Sequence, residues 1–129
     1  MPTRSSPHRS IAAATLASLL FAACAPQPAP PTERGRISHY GHEFAGRKTA
    51  SGVAFDPDAL TMAHRTLPFG TRVRVTNLAN QKTVDVVVND RGPAVQGRIA
   101  DLSLGAARRI DMVQEGVVEG MLEVLPKER

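Results

Sequence analysis

Two stretches of strict alternation organise the chain. Thr71-Arg72-Val73-Arg74-Val75-Thr76 places apolar residues at every second position, and Thr83-Val84-Asp85-Val86-Val87-Val88 does the same apart from Val87. A two-residue period marks a strand with one buried face. The polar segment Asn77–Lys82 between them predicts a hairpin loop, so the two runs form an antiparallel pair. Weaker strand patterns lie at Arg36–Tyr40, Leu60–Ala63 and Gly97–Asp101. Val118, Gly120, Leu122 and Val124 share one side of a last strand whose other side carries Glu119 and Glu123. Asp101 or Ser103 is expected to cap a short helix running through Ile110, with Leu104, Ala107 and Ile110 as its inner face. About six short strands and one helix predict a mainly β fold, a small closed β-barrel.

The N-terminal third follows neither period. Residues 1–10 carry Arg4, His8 and Arg9 with no acid, and residues 11–23 form an apolar run that stops at Cys24. A basic start followed by a short apolar stretch reads as a secretory signal peptide, too short for a permanent membrane span. Ala22 and Ala23 directly before Cys24 resemble the lipobox of bacterial lipoproteins, although Phe21 stands where that motif favours Leu, Val or Ile. Lipidation of Cys24 would tether the protein to a membrane. Neither Ala25 nor Pro26 is the Asp that retains such proteins at the inner membrane, so the outer membrane is the expected residence in a Gram-negative envelope. Residues 24–34 contain four prolines after the cysteine and read as an extended spacer. The expected organisation is therefore a signal over 1–23, a lipidated linker over 24–34, one domain over 35–126 and a tail over 127–129.

Composition narrows the class. A chain of 129 residues, 42% hydrophobic and 22% charged, suits one globular core. Aromatics are only 4% and Trp is absent, so the core must be built from aliphatic side chains, and a flat aromatic platform for sugars is not expected. The net charge of +4 comes from 16 basic against 12 acidic residues; without Arg4 and Arg9, 14 remain against 12, an excess of +2. Basic and acidic residues alternate rather than forming a stripe, which argues against nucleic acid as a partner. Cys24 is the lone cysteine and excludes an intramolecular disulfide.

Among groups able to do chemistry, Asp90 in Asn89-Asp90-Arg91-Gly92-Pro93 stands out. If the two-residue period holds to the strand end, it shares a face with Val84, Val86 and Val88, whereas Asp85 lies opposite. A carboxyl at the rim of an apolar interior can serve as a general acid, with adjacent Arg91 acting against its protonation. The same Asp can equally be a turn residue accepting backbone N–H groups, and spacing alone does not choose. Asp56 before Pro57 reads by itself as a turn or cap, and a single His64 as a satisfied residue. His39 and His42 form a poor zinc pattern without further ligands, so no metal or cofactor is expected. A phosphate-binding glycine loop and a Gly-x-Ser-x-Gly elbow are both missing from the sequence.

Several linked motifs carry a resemblance. Gly46-Arg47-Lys48-Thr49-Ala50-Ser51-Gly52, Phe55-Asp56, Leu60-Thr61-Met62-Ala63-His64, Thr66-Leu67-Pro68-Phe69-Gly70-Thr71, Val75-Thr76-Asn77, Asn89-Asp90-Arg91-Gly92-Pro93 and Gly97-Arg98-Ile99-Ala100-Asp101-Leu102-Ser103 run in order from about Gly35 to Leu125. Together they resemble the RlpA-like (rare lipoprotein A) family. The resemblance implies a six-stranded double-psi β-barrel and a lytic transglycosylase acting on peptidoglycan glycan strands stripped of stem peptides. It implies Asp90 as the catalytic acid, Asp56 and His64 as further active-site residues, and Thr61, Asn89 and Arg91 as contacts to the glycan. Three departures stand out. Val53 occupies a place where the family often has Glu, Asn80-Gln81 replaces the usual Asn-Gly of the hairpin, and no SPOR domain, the glycan-binding module of many relatives, follows before Arg129.

The expected chemistry is cleavage of the β-1,4 bond between N-acetylmuramic acid and N-acetylglucosamine, with the muramic C6 hydroxyl closing onto C1. One acid/base suffices for this, whereas a hydrolase needs two carboxyls at a set separation. The alternative expectation is a non-catalytic, expansin-like glycan-binding or wall-loosening module, and a third is a structural envelope lipoprotein that has lost activity.

Overall fold

The computed structural model describes residues 2–5, 12–14, 17 and 29–127. The readings that fall on Cys24 and on most of the signal segment lie outside the described residues. Six strands build the body: β1 (Thr32–His39), β2 (Thr61–Ala63), β3 (Arg72–Asn77), β4 (Thr83–Asp90), β5 (Arg98–Leu102) and β6 (Val117–Val124). They close into a barrel in the order β1-β5-β2-β4-β3-β6. The β1/β5 and β2/β4 pairs are parallel, and the other four are antiparallel.

The alternating runs become β3 and β4 with the expected faces. Val73 and Val75 point inward from β3 and Val84, Val86 and Val88 from β4, all buried, while Arg74 and Val87 are exposed. Val118 and Leu122 from β6, Ile37 from β1, Met62 from β2 and Ala100 and Leu102 from β5 complete the interior. Each of the Val, Leu, Ile and Met side chains contributes about 1.5–3 kcal/mol when fully removed from water. Gly120 leaves room for the Ile37 side chain, since an added methyl would lie 2.8 Å from Ile37 Cδ1.

A short helix, α1 (Leu104–Arg109), follows β5, and its cap is Ser103, whose Oγ accepts from the Ala106 N–H at 3.2 Å. The same hydroxyl donates to the Ala59 carbonyl. Asp101, the other candidate cap, lies within β5 instead. Ala106, Ala107 and Ile110 pack on the barrel, and the buried Asn77 side chain donates to the Ile110 carbonyl at 2.9 Å. This ties the hairpin loop to the end of the helix.

One boundary differs from the expectation. β1 begins at Thr32, three residues inside the segment read as linker, because Glu33 pairs with Leu122 and Arg34 with Met121 across the β1/β6 ladder. Tertiary pairing supplies what the polar Thr32-Glu33-Arg34 lacks in local strand signal.

Candidate active site

The parallel strands β2 and β4 end side by side, and the pairing there is irregular. Met62 faces Val88, but Ala63 faces Asp90, so β4 holds one extra residue, Asn89. A bulge of this kind breaks alternation and re-aims the residue beyond it. Asp90 is accordingly half-buried rather than part of the core with Val88. Its Oδ1 accepts the Ala50 N–H at 2.9 Å and the Arg91 N–H at 2.8 Å, and its Oδ2 accepts from the Tyr40 hydroxyl at 3.3 Å. Asp90 is thus both the turn residue and the polar centre of an open cavity of about 510 Å³. Gly92, at φ +134°, takes the chain through a conformation that side chains rarely adopt.

Three kinds of side chain line that cavity: the acids Asp90 and Asp101, the rings of Tyr40, Phe44 and Phe55, and the cations Arg47, Lys48 and Arg91. The rings meet at angles. Tyr40 lies 5.1 Å from Phe55 edge-on at 85° and 5.9 Å from Phe44 at 57°, an angled aromatic wall rather than a coplanar platform. Asp101 receives the Ser38 hydroxyl, and its Oδ2 sits 3.8 Å from where a methyl on Gly92 would fall, so both acids flank the same turn. Burial, and then the negative charges of Asp90 and Asp101, push the Tyr40 phenol well above its usual range. The phenol therefore remains a donor to Asp90.

Residues 46–55 form a flap over this site. The Gly46 N–H donates to the Phe55 carbonyl, the Phe55 N–H to Arg47 and the Thr49 N–H to Val53, as in a short hairpin. Its tip is pinned to β4 through Ala50 on Asp90 and through the Ser51 N–H on the Asn89 carbonyl at 3.2 Å. Val53 is 62% exposed on this flap.

Of the residues expected to share the site, Asp90 and Arg91 line the cavity, and Asn89 adjoins it through its backbone. Asp56, His64 and Thr61 do not line it. Asp56 is exposed next to Phe55 and accepts the Asp58 N–H at 2.9 Å, the turn duty its place before Pro57 suggests. Thr61 exchanges bonds with Ser103 at the far end of β2. His64 is buried, and its Nδ1 accepts from the Thr66 and Leu67 N–H groups, both at 3.1 Å. A nitrogen that accepts carries no proton, so Nε2 holds it and donates to Glu33 at 2.9 Å. Both ring nitrogens of His64 are committed within the protein. Arg91 adds to this loop, donating to the His64 and Leu67 carbonyls at 3.1 and 2.8 Å and stacking 4.0 Å over Phe69.

Comparison with known proteins places this arrangement. The family model described as lytic transglycolase matches residues 32–122, from the first residue of β1 to the penultimate pair of β6. The chain belongs to this family. A probable endolytic peptidoglycan transglycosylase RlpA of Nostoc sp. is 55% identical over 94 residues, covering 71% of this chain and 25% of that protein. The endolytic peptidoglycan transglycosylase RlpA of Campylobacter jejuni is 51% identical over 94 residues, covering 73% of this chain and 34% of its own. This chain thus spans about a quarter to a third of the length of these curated relatives. Among solved structures, a Streptomyces papain inhibitor superposes with a TM-score of 0.62 at 23% identity, covering 77% of this chain and 98% of that one. An expansin of Clavibacter michiganensis gives 0.61 at 24% identity, covering 77% and 52%. These likenesses carry the fold alone, the double-psi β-barrel.

Within the lytic transglycolase barrel, sequence reasoning missed most of the cavity lining, Tyr40 and Asp101 beside Asp90 above all. Tyr40 is the only tyrosine in the chain and directly follows β1, but nothing local ties it to Asp90, 50 residues on. Asp101 alternates with the buried Ala100 and Leu102, a parity that would have separated it from the helix cap.

Proposed function

We propose that this domain is a peptidoglycan lytic transglycosylase that cleaves the β-1,4 bond between N-acetylmuramic acid and N-acetylglucosamine in peptide-stripped glycan. The observation that carries the reading is the Asp90 carboxyl, held by three donors at the end of β4 yet open to a cavity large enough for a sugar ring. Asp90 in its acid form gives its proton to the leaving oxygen as the C1–O4 bond breaks. The C6 hydroxyl of the same muramic acid then bonds to C1 and returns its proton to the Asp90 carboxylate, leaving a 1,6-anhydro end. Tyr40, kept protonated, orients the carboxylate, and Asp101 stabilises positive charge at C1. Asp56, exposed beside Phe55, meets the glycan beyond the cavity, while His64 holds the loop that seats Arg91. The relatives' names support the substrate class. The test is mass analysis of products from purified peptide-stripped glycan: 1,6-anhydro ends are expected, and reducing ends would identify a hydrolase instead. The expansin-like fold favours one second reading, glycan binding without cleavage, which the same incubation would reveal as retention without product.

The apolar run ending at Cys24 supports lipidation and an envelope location, on the periplasmic side of the outer membrane. A fatty-acid analogue should label the wild type and not Cys24→Ser; equal labelling of both would overturn the anchor.

A further inference from the structure

The flap presents two cations to the Asp90 cavity that no acid among the described residues neutralises. Arg47 and Lys48 both line it and are exposed, and neither forms an ion pair among the described residues. The Arg47 guanidinium rests 5.5 Å from the Phe44 ring centroid, a contact that leaves its N–H groups without an acceptor. Arg91, the third cation there, is spent on two carbonyls and on Phe69. The pair is also held in place. Thr49, the next residue, is buried with its hydroxyl on the Val53 carbonyl at 2.7 Å, and Ala50, one further on, donates to Asp90 itself. The cavity therefore has acids beside the turn and open cations on the flap.

We infer that Arg47 and Lys48 form a carboxylate subsite that receives the lactyl group of the muramic acid whose C1 reacts at Asp90. This rests on the proposed glycan cleavage and names what makes its substrate distinct. The lactyl group sits on C3 of the very ring that carries C1, so the anion lies within a ring's width of the reacting bond. When a stem peptide is attached, that carboxyl is an amide, has no charge, and loses its attraction to a guanidinium and an ammonium. When the peptide is gone, the carboxylate gains two charge-assisted partners. Selectivity for stripped strands then comes from the flap, and the proton transfer from β4.

The test compares peptide-stripped strands with the same strands after their lactyl carboxyls are converted to methylamides. Cleavage and binding of a fluorescent strand are both followed. Three proteins are used: the wild type, an Arg47→Gln/Lys48→Gln variant, and an Arg109→Gln/Lys127→Gln variant that removes equal charge elsewhere. Melting curves verify that each is folded. The wild type and the Arg109/Lys127 variant should favour the carboxylate strand by about tenfold or more, the size expected for a charge-assisted hydrogen bond. The Arg47/Lys48 variant should treat both strands alike, at the level the wild type shows on the methylamide. Equal handling of both strands by the wild type, or retained discrimination in the Arg47/Lys48 variant, overturns the subsite. Discrimination in binding without any product leaves the subsite supported and removes the transglycosylase reading, whereas product without discrimination does the reverse.

Discussion

Ala63 and Asp90 are neighbours at the ends of two parallel strands, yet the segments they lead into have opposite characters. After β2 the chain enters His64, whose ring is buried and whose two nitrogens are both occupied, by the backbone of Thr66 and Leu67 and by Glu33. At the end of β4 stands Asp90, which accepts from three donors and still lines an open cavity. Both groups are titratable and both are well ordered by hydrogen bonds. The difference is in spare capacity. A group that transfers a proton to a ligand needs a lone pair or a proton that the protein does not already use, and only Asp90 has an open approach. His64 closes a loop; Asp90 faces a guest.

The most forceful way to break this contrast is to exchange the proton-carrying oxygen for an amide. Asp90→Asn should fold, since Oδ1 can still accept from Ala50 and Arg91, and should lower turnover by about 10²–10⁴-fold, the usual size of a general acid–base contribution. Asp85→Asn on the same strand, where the carboxylate pairs with Arg74 across β3, should leave turnover unchanged. Anhydro-product formation and melting temperature on both variants decide the matter; a folded Asp90→Asn protein with wild-type turnover would remove Asp90 from the chemistry.

His64→Ala should act in the opposite manner. It strands two backbone N–H groups and Glu33, and should cost about 2–4 kcal/mol of stability. Activity lost should be regained by cooling or by osmolyte in step with the folded fraction. A fully folded but inactive His64→Ala protein would show that the imidazole takes part in the reaction.

Tyr40→Phe sharpens the Asp90 side, because it deletes one of three donors without changing the ring wall. Turnover should fall by about tenfold. Linkage gives a second readout. The phenol's value is raised on folding, so the stability it confers is complete below about pH 10, the unfolded value, and declines as pH rises above it, where the unfolded chain ionises and the folded one does not. Denaturant titrations from pH 9 to 11 should show a steeper fall for the wild type than for Tyr40→Phe; parallel curves would mean that the phenol is not held protonated.

The same contrast marks what the amino-acid order made legible. Alternation works where each residue meets one partner, and the inward faces of β3, β4 and β6 follow it residue by residue. It stops at Asn89, where an extra residue enters β4. The parity argument for Asp90 therefore reached a residue of the site through a premise the bulge does not keep. Likewise Glu33 looked like linker because its partners, Leu122 on β6 and His64 beyond β2, lie 89 and 31 positions away. Tyr40 and Asp101 meet Asp90 only because the barrel closes, a fact that no local window contains.

The smallest expected effect lies far from either strand end, in the hairpin loop of β3 and β4. Gln81 adopts φ +64°, the left-handed region in which a Cβ is disfavoured by about 1–2 kcal/mol and glycine is not. Its side chain contributes only an exposed bond to the Leu78 carbonyl at 3.1 Å, and its N–H donates to Asn77 whatever the side chain. Gln81→Gly removes the backbone strain but adds freedom to the unfolded chain, so the net gain should be roughly 0.5–1 kcal/mol, seen as a modest rise in denaturant midpoint. Turnover should not change, because the loop is tied to Ile110 through Asn77 and Asn80 and touches no residue of the Asp90 cavity. A loss of stability would mean that the Gln81 side chain matters more than its backbone, and a change in turnover would mean that the hairpin loop and the cavity are coupled across the barrel.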